Sequence, residues 1–128
     1  MRTGAWFVMF SKAHLPPEQE IKAALVKVRN ATVTKSAEME FTVEVGKKSF
    51  VATLNDKSWV ATETKEAVER NGASLSNRDE VKKYDTRFEL LFDQTDMGDL
   101  FAPILSAAEK LARLTKGVIY ESDNGVFQ

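Results

Sequence analysis

The chain has 128 residues, 43% hydrophobic and 29% charged, a length that suits one hydrophobic core and a composition typical of a soluble globular domain. Eighteen Lys or Arg against nineteen Asp or Glu leave a formal charge of -1, which supplies no global field toward nucleic acid or anionic lipid. The absence of cysteine excludes disulfides, thiolate catalysis and sulfur-ligated metal, and makes a reducing, cytoplasmic setting the default expectation.

Residues 6–10, WFVMF, form a continuous apolar run, expected to be a strand buried on both faces near the middle of a sheet. The run is too short for a membrane span and lacks a small-residue cleavage pattern, so it reads as neither anchor nor leader. After a connection, Pro16-Pro17 presets the first turn of a helix, where missing amide donors cost little. Ile21, Ala24, Leu25 and Val28 follow at helical spacing, with Glu18 and Glu20 in the first turn and Lys27 and Arg29 in the last, complementing the helix dipole. Residues 31–37 are polar and β-branched and read as a loop or a ragged strand start. The period then changes to two. Met39, Phe41, Val43 and Val45 alternate with Glu38, Glu40, Thr42 and Glu44, predicting a strand with one apolar and one acidic face. Gly46-Lys47-Lys48 supplies a turn, and Phe50, Ala52 and Leu54 return as the second strand of an antiparallel hairpin.

Residues 59–70 carry a broken apolar stripe (Trp59, Val60, Ala67, Val68), a Glu66–Arg70 pair and an Asn71-Gly72 stop, which together predict a short helix. Residues 73–85 read as surface connection, with Asn77 and Glu80 capping one further turn that ends near Tyr84. Residues 87–92 form a strand with Phe88, Leu90 and Phe92 on one side. The clearest helix follows: Asp99 as N-cap or first-turn residue, Pro103 near its start, and Phe101, Ile104, Leu105, Ala108, Leu111 and Ala112 along one face. Lys116-Gly117 ends it, with Gly117 free to take positive φ. Residues 118–120 make a short strand, and Asp123-Asn124-Gly125 turns Val126-Phe127 back against it. The order βαββαβαβ predicts a single α+β domain, a mainly antiparallel sheet with helices packed on one face, whose first part follows a split β-α-β plan.

Few residues offer chemistry. His14 is the sole histidine and lies between a strand and a helix, without a G-x-S-x-G elbow or an H-E-x-x-H helix to support it. It reads as an exposed loop residue, with a catalytic role as the alternative. Asp93, Asp96 and Asp99 recur every third residue; converging carboxylates can hold Mg²⁺ or Ca²⁺, but this spacing departs from the calcium-loop pattern and suits turn formation and capping. No metal and no cofactor are expected, and the scattered glycines form no phosphate loop. Glu38, Glu40 and Glu44 give either a solvated exterior or an acidic surface that steers a basic partner, as nuclease inhibitors mimic a nucleic acid backbone. Trp59, in the polar segment NDKSWVATE, is read as a lid on the core, with a hot-spot anchor as the second reading. The first 37 residues hold six Lys or Arg against two Glu, a bipolar tendency. Lys12, Lys22, Lys27 and Arg29 are not interleaved with aromatics, so no nucleic-acid face is expected, and no membrane partner either.

In its order of elements, and most specifically in AAEKLARLTKGVIY, the chain resembles small bacterial α+β domains, a group that includes cytoplasmic immunity proteins of polymorphic toxin systems. The resemblance is architectural and transfers no residue. It implies a non-enzymatic protein-binding module, most concretely an immunity-type inhibitor that occludes a basic toxin domain. The contact residues expected from the chain itself are Glu38, Glu40, Glu44, Trp59, Asp93, Asp96 and Asp99. Two alternatives stand beside it: a small hydrolase or transferase using His14 or the three aspartates, and a structural subunit that forms a homodimer through an uncovered sheet face.

Overall fold

In the computed structural model, which describes residues 2–128, strand β1 (Thr3–Phe10) buries side chains of both parities. Trp6, Val8 and Phe10 enter one core, while Phe7 and Met9 pack on the other side of the sheet. Strand β1 is central because β5 (Thr86–Asp93) pairs with one of its edges and β6 (Val118–Glu121) with the other, both antiparallel. The sheet extends from β5 through β4 (Lys48–Asn55), β3 (Glu40–Val45) and β2 (Ala31–Ala37), and from β6 to the two-residue β7 (Val126–Phe127). Seven strands in the order β2-β3-β4-β5-β1-β6-β7 result, all paired antiparallel. The α+β class is as expected.

Helices α1 (Glu18–Val26) and α4 (Met97–Thr115) cover one face, burying Ile21, Leu25, Leu100, Ile104, Ala108 and Leu111 against Phe41, Phe50, Phe88 and Trp6. Helix α2 (Val60–Asn71) and the single turn α3 (Arg78–Val81) lie on the opposite face, where Ala67, Val68 and Val81 meet Met9, Tyr120 and Phe127. The expectation of helices on one face is therefore corrected. The apolar residues of both parities in β1 require a cover on each side, and α2 with α3 is the second cover.

Several local expectations change as well. Residues 31–37 form a complete strand rather than a loop; it is an edge strand, mostly exposed, so burial imprints little alternation on its sequence. Glu38 and Met39 are not the start of β3 but a two-residue turn, closed by Ala37 opposite Glu40, with Met39 at φ 53°. Met39 keeps the apolar phase of β3 because its side chain still packs against the core from the turn. Lys27 and Arg29 lie beyond the last turn of α1. Asn77 precedes α3 without a side-chain capping bond. Pro103 sits inside α4, not at its start. Phe101 is 46% exposed and meets Trp6 edge-on at 5.8 Å, while Leu100 takes the buried position. At the end of α4 it is Lys116, at φ 57°, that adopts the left-handed conformation. Gly117 is required for a different reason: a Cβ there would collide with the Met9 carbonyl oxygen of the adjoining strand.

Candidate protein-contact surface

On the face that carries α2, the cover is incomplete. Residues of β3 and β4 that point to this side, Glu40, Thr42, Glu44, Ser49, Val51 and Thr53, are exposed or half-buried, whereas their neighbours Phe41, Val43, Phe50 and Ala52 are buried on the other. Strand register carries this surface across the sheet: Thr34, Thr42, Val51, Leu91 and Ala5 stand in one row, and Glu40, Thr53, Glu89 and Phe7 in the next. Half the face is thus an uncovered, hydroxyl-rich sheet.

Arg87 marks the border between the covered and uncovered halves. Its side chain is 5% exposed. Nε and one terminal nitrogen each donate to Glu89 Oε2 at 2.8 Å, and the other terminal nitrogen donates to Glu63 Oε1 at 2.8 Å. Asn55 Nδ2 donates to the same Glu89 oxygen at 2.9 Å. The guanidinium carbon lies 3.8 Å from the centroid of the Phe7 ring and 5.4 Å from that of Trp59. A buried cation with paired carboxylates and aromatic faces is a strongly ordered unit, because separating Arg87 from the half-buried Glu89 leaves an uncompensated charge. Beside it a hollow of about 230 Å³ is lined by Phe7, Glu63, Glu66, Arg70 and Tyr120 among others.

Trp59 stands just before α2 at this border, 44% exposed, so it is not a lid on the core; it flanks Arg87 and shows the rest of its ring to solvent. Glu40 and Glu44 project from the uncovered half, and neither forms an ion pair among the described residues. Glu38 is separated from them, exposed in the β2–β3 turn.

The three aspartates form no metal-holding group, but all three lie within electrostatic reach of Lys48. Asp93 accepts from the Thr95 amide and hydroxyl, bonds that hold its carboxyl below the usual carboxylate range, the amide being the larger influence. Asp96 pairs with Lys48 at 2.9 Å and pushes that ammonium above the usual lysine range. Asp99 is exposed in the first turn of α4. Among the described residues no group of three or more His, Asp or Glu side chains is placed to hold a metal ion. His14 is exposed in the short 3₁₀ turn Lys12–His14, and its side chain makes no hydrogen bond among the described residues. No described helix is long and apolar enough to cross a membrane.

Arg87, Glu89 and Glu63 escaped the sequence reading. A signal exists in TRFELLFD, where Arg87 and Glu89 alternate with Phe88 and Leu90 and so must share the side away from the main core. The chain matches no family model, no curated protein and no solved structure.

Proposed function

We propose that this chain is a non-enzymatic protein-binding module that receives a basic protein surface on the uncovered half of its sheet. Its most concrete form is an immunity-type inhibitor that occludes a toxin domain in the bacterial cytoplasm. The observation that carries the reading is the border at Trp59: an exposed indole flanking a buried, ion-paired Arg87, next to a sheet face whose unpaired charges, Glu40 and Glu44, are acidic. A partly ordered aromatic beside an open surface is the kind of group that carries binding energy when a partner completes its burial. Glu40 accepts from the Ser36 hydroxyl at 3.0 Å, but carboxylates without an intramolecular cation favour a cationic partner and speed its approach. Asp99 lies on α4, on the other side of the sheet, and Asp93 and Asp96 are engaged within the molecule, so none of the three belongs to this surface.

Co-expression with the product of the adjacent gene, followed by co-purification and a toxicity-rescue assay, tests the proposal. Trp59→Ala is expected to weaken the complex about thirtyfold, the loss of a roughly 2 kcal/mol hot spot. Glu40→Lys with Glu44→Lys is expected to slow association and abolish its salt dependence. A complex unaffected by all three substitutions would place the interface elsewhere, and an absent complex without rescue would count against that partner.

A further inference from the structure

Helices α1 and α4 pack side by side through Ile21, Leu25, Ile104 and Leu111, and their outward edges leave a seam with two hollows. One, of about 540 Å³, is lined by Ala24, Lys27, Lys110, Arg113 and Leu114. The other, of about 410 Å³, is lined by Val28, Val45, Ala102 and Pro103 together with Arg29, Asn30 and Ser106. Ser106 joins the two, since its hydroxyl accepts a 3.1 Å hydrogen bond from Lys110 Nζ.

The seam departs from the charge balance of the chain as a whole. Lys27, Arg29, Lys110 and Arg113 line it, no acidic side chain does, and none of the four forms an ion pair among the described residues. Glu109 precedes Arg113 by four residues on α4, a spacing that permits pairing, yet the two are not bridged. In a protein with more acids than bases, cations left to repel one another across a concave seam focus a positive potential there. Lys110 is held in place by Ser106, which lowers the cost of ordering it on a ligand. Arg113 offers a planar fork suited to a phosphate or carboxylate. The neighbouring hollow adds apolar surface from Val28, Val45, Ala102 and Pro103 beside Arg29 and Asn30, so the cations of the first hollow adjoin a more apolar one. Each hollow falls within the size range of small-molecule sites, about 300–1,000 Å³.

We propose that the α1–α4 seam binds a small anionic amphiphile, an organic phosphate monoester or carboxylate. Its head meets Lys27, Lys110 and Arg113, and its apolar tail lies against Val28, Val45, Ala102 and Pro103. The seam is on the opposite side of the sheet from the uncovered half, so this proposal stands independently of the protein-binding one.

Calorimetric titration of the full chain with octyl phosphate below its micelle concentration is the test. Saturable one-site binding is expected, with inorganic phosphate at least about tenfold weaker because it lacks the tail. Lys110→Gln with Arg113→Gln is expected to weaken octyl phosphate about a hundredfold, whereas Lys65→Gln, on α2, leaves it unchanged. Ala102→Phe is expected to lower the affinity for octyl phosphate without changing that for inorganic phosphate. These substitutions fall at exposed or half-exposed positions, and thermal melts verify that each variant folds. No saturable binding, equal affinity in the parent and the Lys110/Arg113 variant, or equal affinity for octyl and inorganic phosphate would overturn the proposal. So would co-sedimentation with phosphatidylglycerol vesicles without binding of the soluble phosphate, which would assign the cations to a membrane surface.

Discussion

The two faces of the sheet are built from the same strands and are closed by different means. On the α1/α4 face, large side chains from β1, β3, β4, β5 and β6 interdigitate with two helices, and nothing charged intervenes. On the α2/α3 face, a smaller apolar cluster around Met9, Val68, Tyr84 and Tyr120 covers one end, and the buried cation Arg87 ends it. The first face is held by area removed from water, while the second adds to a smaller apolar cluster a buried cation that needs its buried partner, Glu89.

The comparison breaks most readily at α4. Leu111→Ala, at a fully buried position of the larger core, is expected to cost about 3–5 kcal/mol in denaturant unfolding, against about 2 kcal/mol for Val68→Ala on the other face. Leu111 loses one carbon more than Val68, so an equal loss per carbon removed would mean that the faces do not differ in kind. Arg87→Ala is expected to cost about 3 kcal/mol because it strands Glu89, whose side chain is only 17% exposed. Glu63→Gln, at a carboxylate 52% exposed, should cost less than about 1 kcal/mol. If those two substitutions cost the same, Glu89 is not the member that makes the cluster necessary.

The junction from α4 into β6 sharpens the picture further. Gly117→Ala should destabilise by about 1–3 kcal/mol, since the added methyl meets the Met9 carbonyl, a backbone group that cannot move aside. Lys116→Gly should stabilise by about 0.5–1 kcal/mol, because glycine takes the left-handed conformation without the Cβ clash. Two adjacent substitutions of opposite sign, read by thermal melts, separate steric room from backbone conformation.

The smallest effect concerns the tie between α1 and the sheet edge. Glu18 bonds Lys35 of β2 at 2.8 Å and accepts from the Met39 amide at 2.9 Å, and these partners, Lys35 first, hold its carboxyl below the usual range. A depressed carboxylate contributes stability above its unfolded value, near about pH 4, and loses it as the pH falls through the lower folded value. The melting temperature of Glu18→Gln should therefore lie slightly below that of the parent at neutral pH and converge with it in acid. A gap that persists in acid would show that the loss is not electrostatic.

Legibility followed burial. Strand β1, helices α1, α2 and α4, and the β3–β4 hairpin were readable because packing imposes a period on their side chains. The edge strand β2 was not, because exposed positions carry no such constraint. The β2–β3 turn was hidden by Met39, which keeps the strand's apolar phase while its backbone reverses. Of the expected contact residues, Glu40, Glu44 and Trp59 were found from alternation and local polarity and lie near one open surface. Asp93, Asp96 and Asp99 were grouped by spacing alone, and spacing in a loop says little about direction. The Arg87–Glu89 pair was signalled by the alternation within β5, but its tie to Glu63 was invisible because that partner comes from α2, 24 residues away in the chain and joined only by folding.

The central position of β1 has a consequence for how the molecule comes into being. Strands β2, β3 and β4 are joined by two-residue turns and find one another at once, but β1 has no sheet partner before Thr86, and its second partner begins at Val118. During synthesis this apolar strand therefore precedes every partner it has in the sheet, and Trp6, Phe7 and Phe10 stay unpaired until β5 has been made. Pairings so far apart in sequence slow folding. They also leave a sticky segment in the nascent chain that a chaperone is suited to shield, so the yield of folded protein should depend on that shielding more than its final stability would suggest.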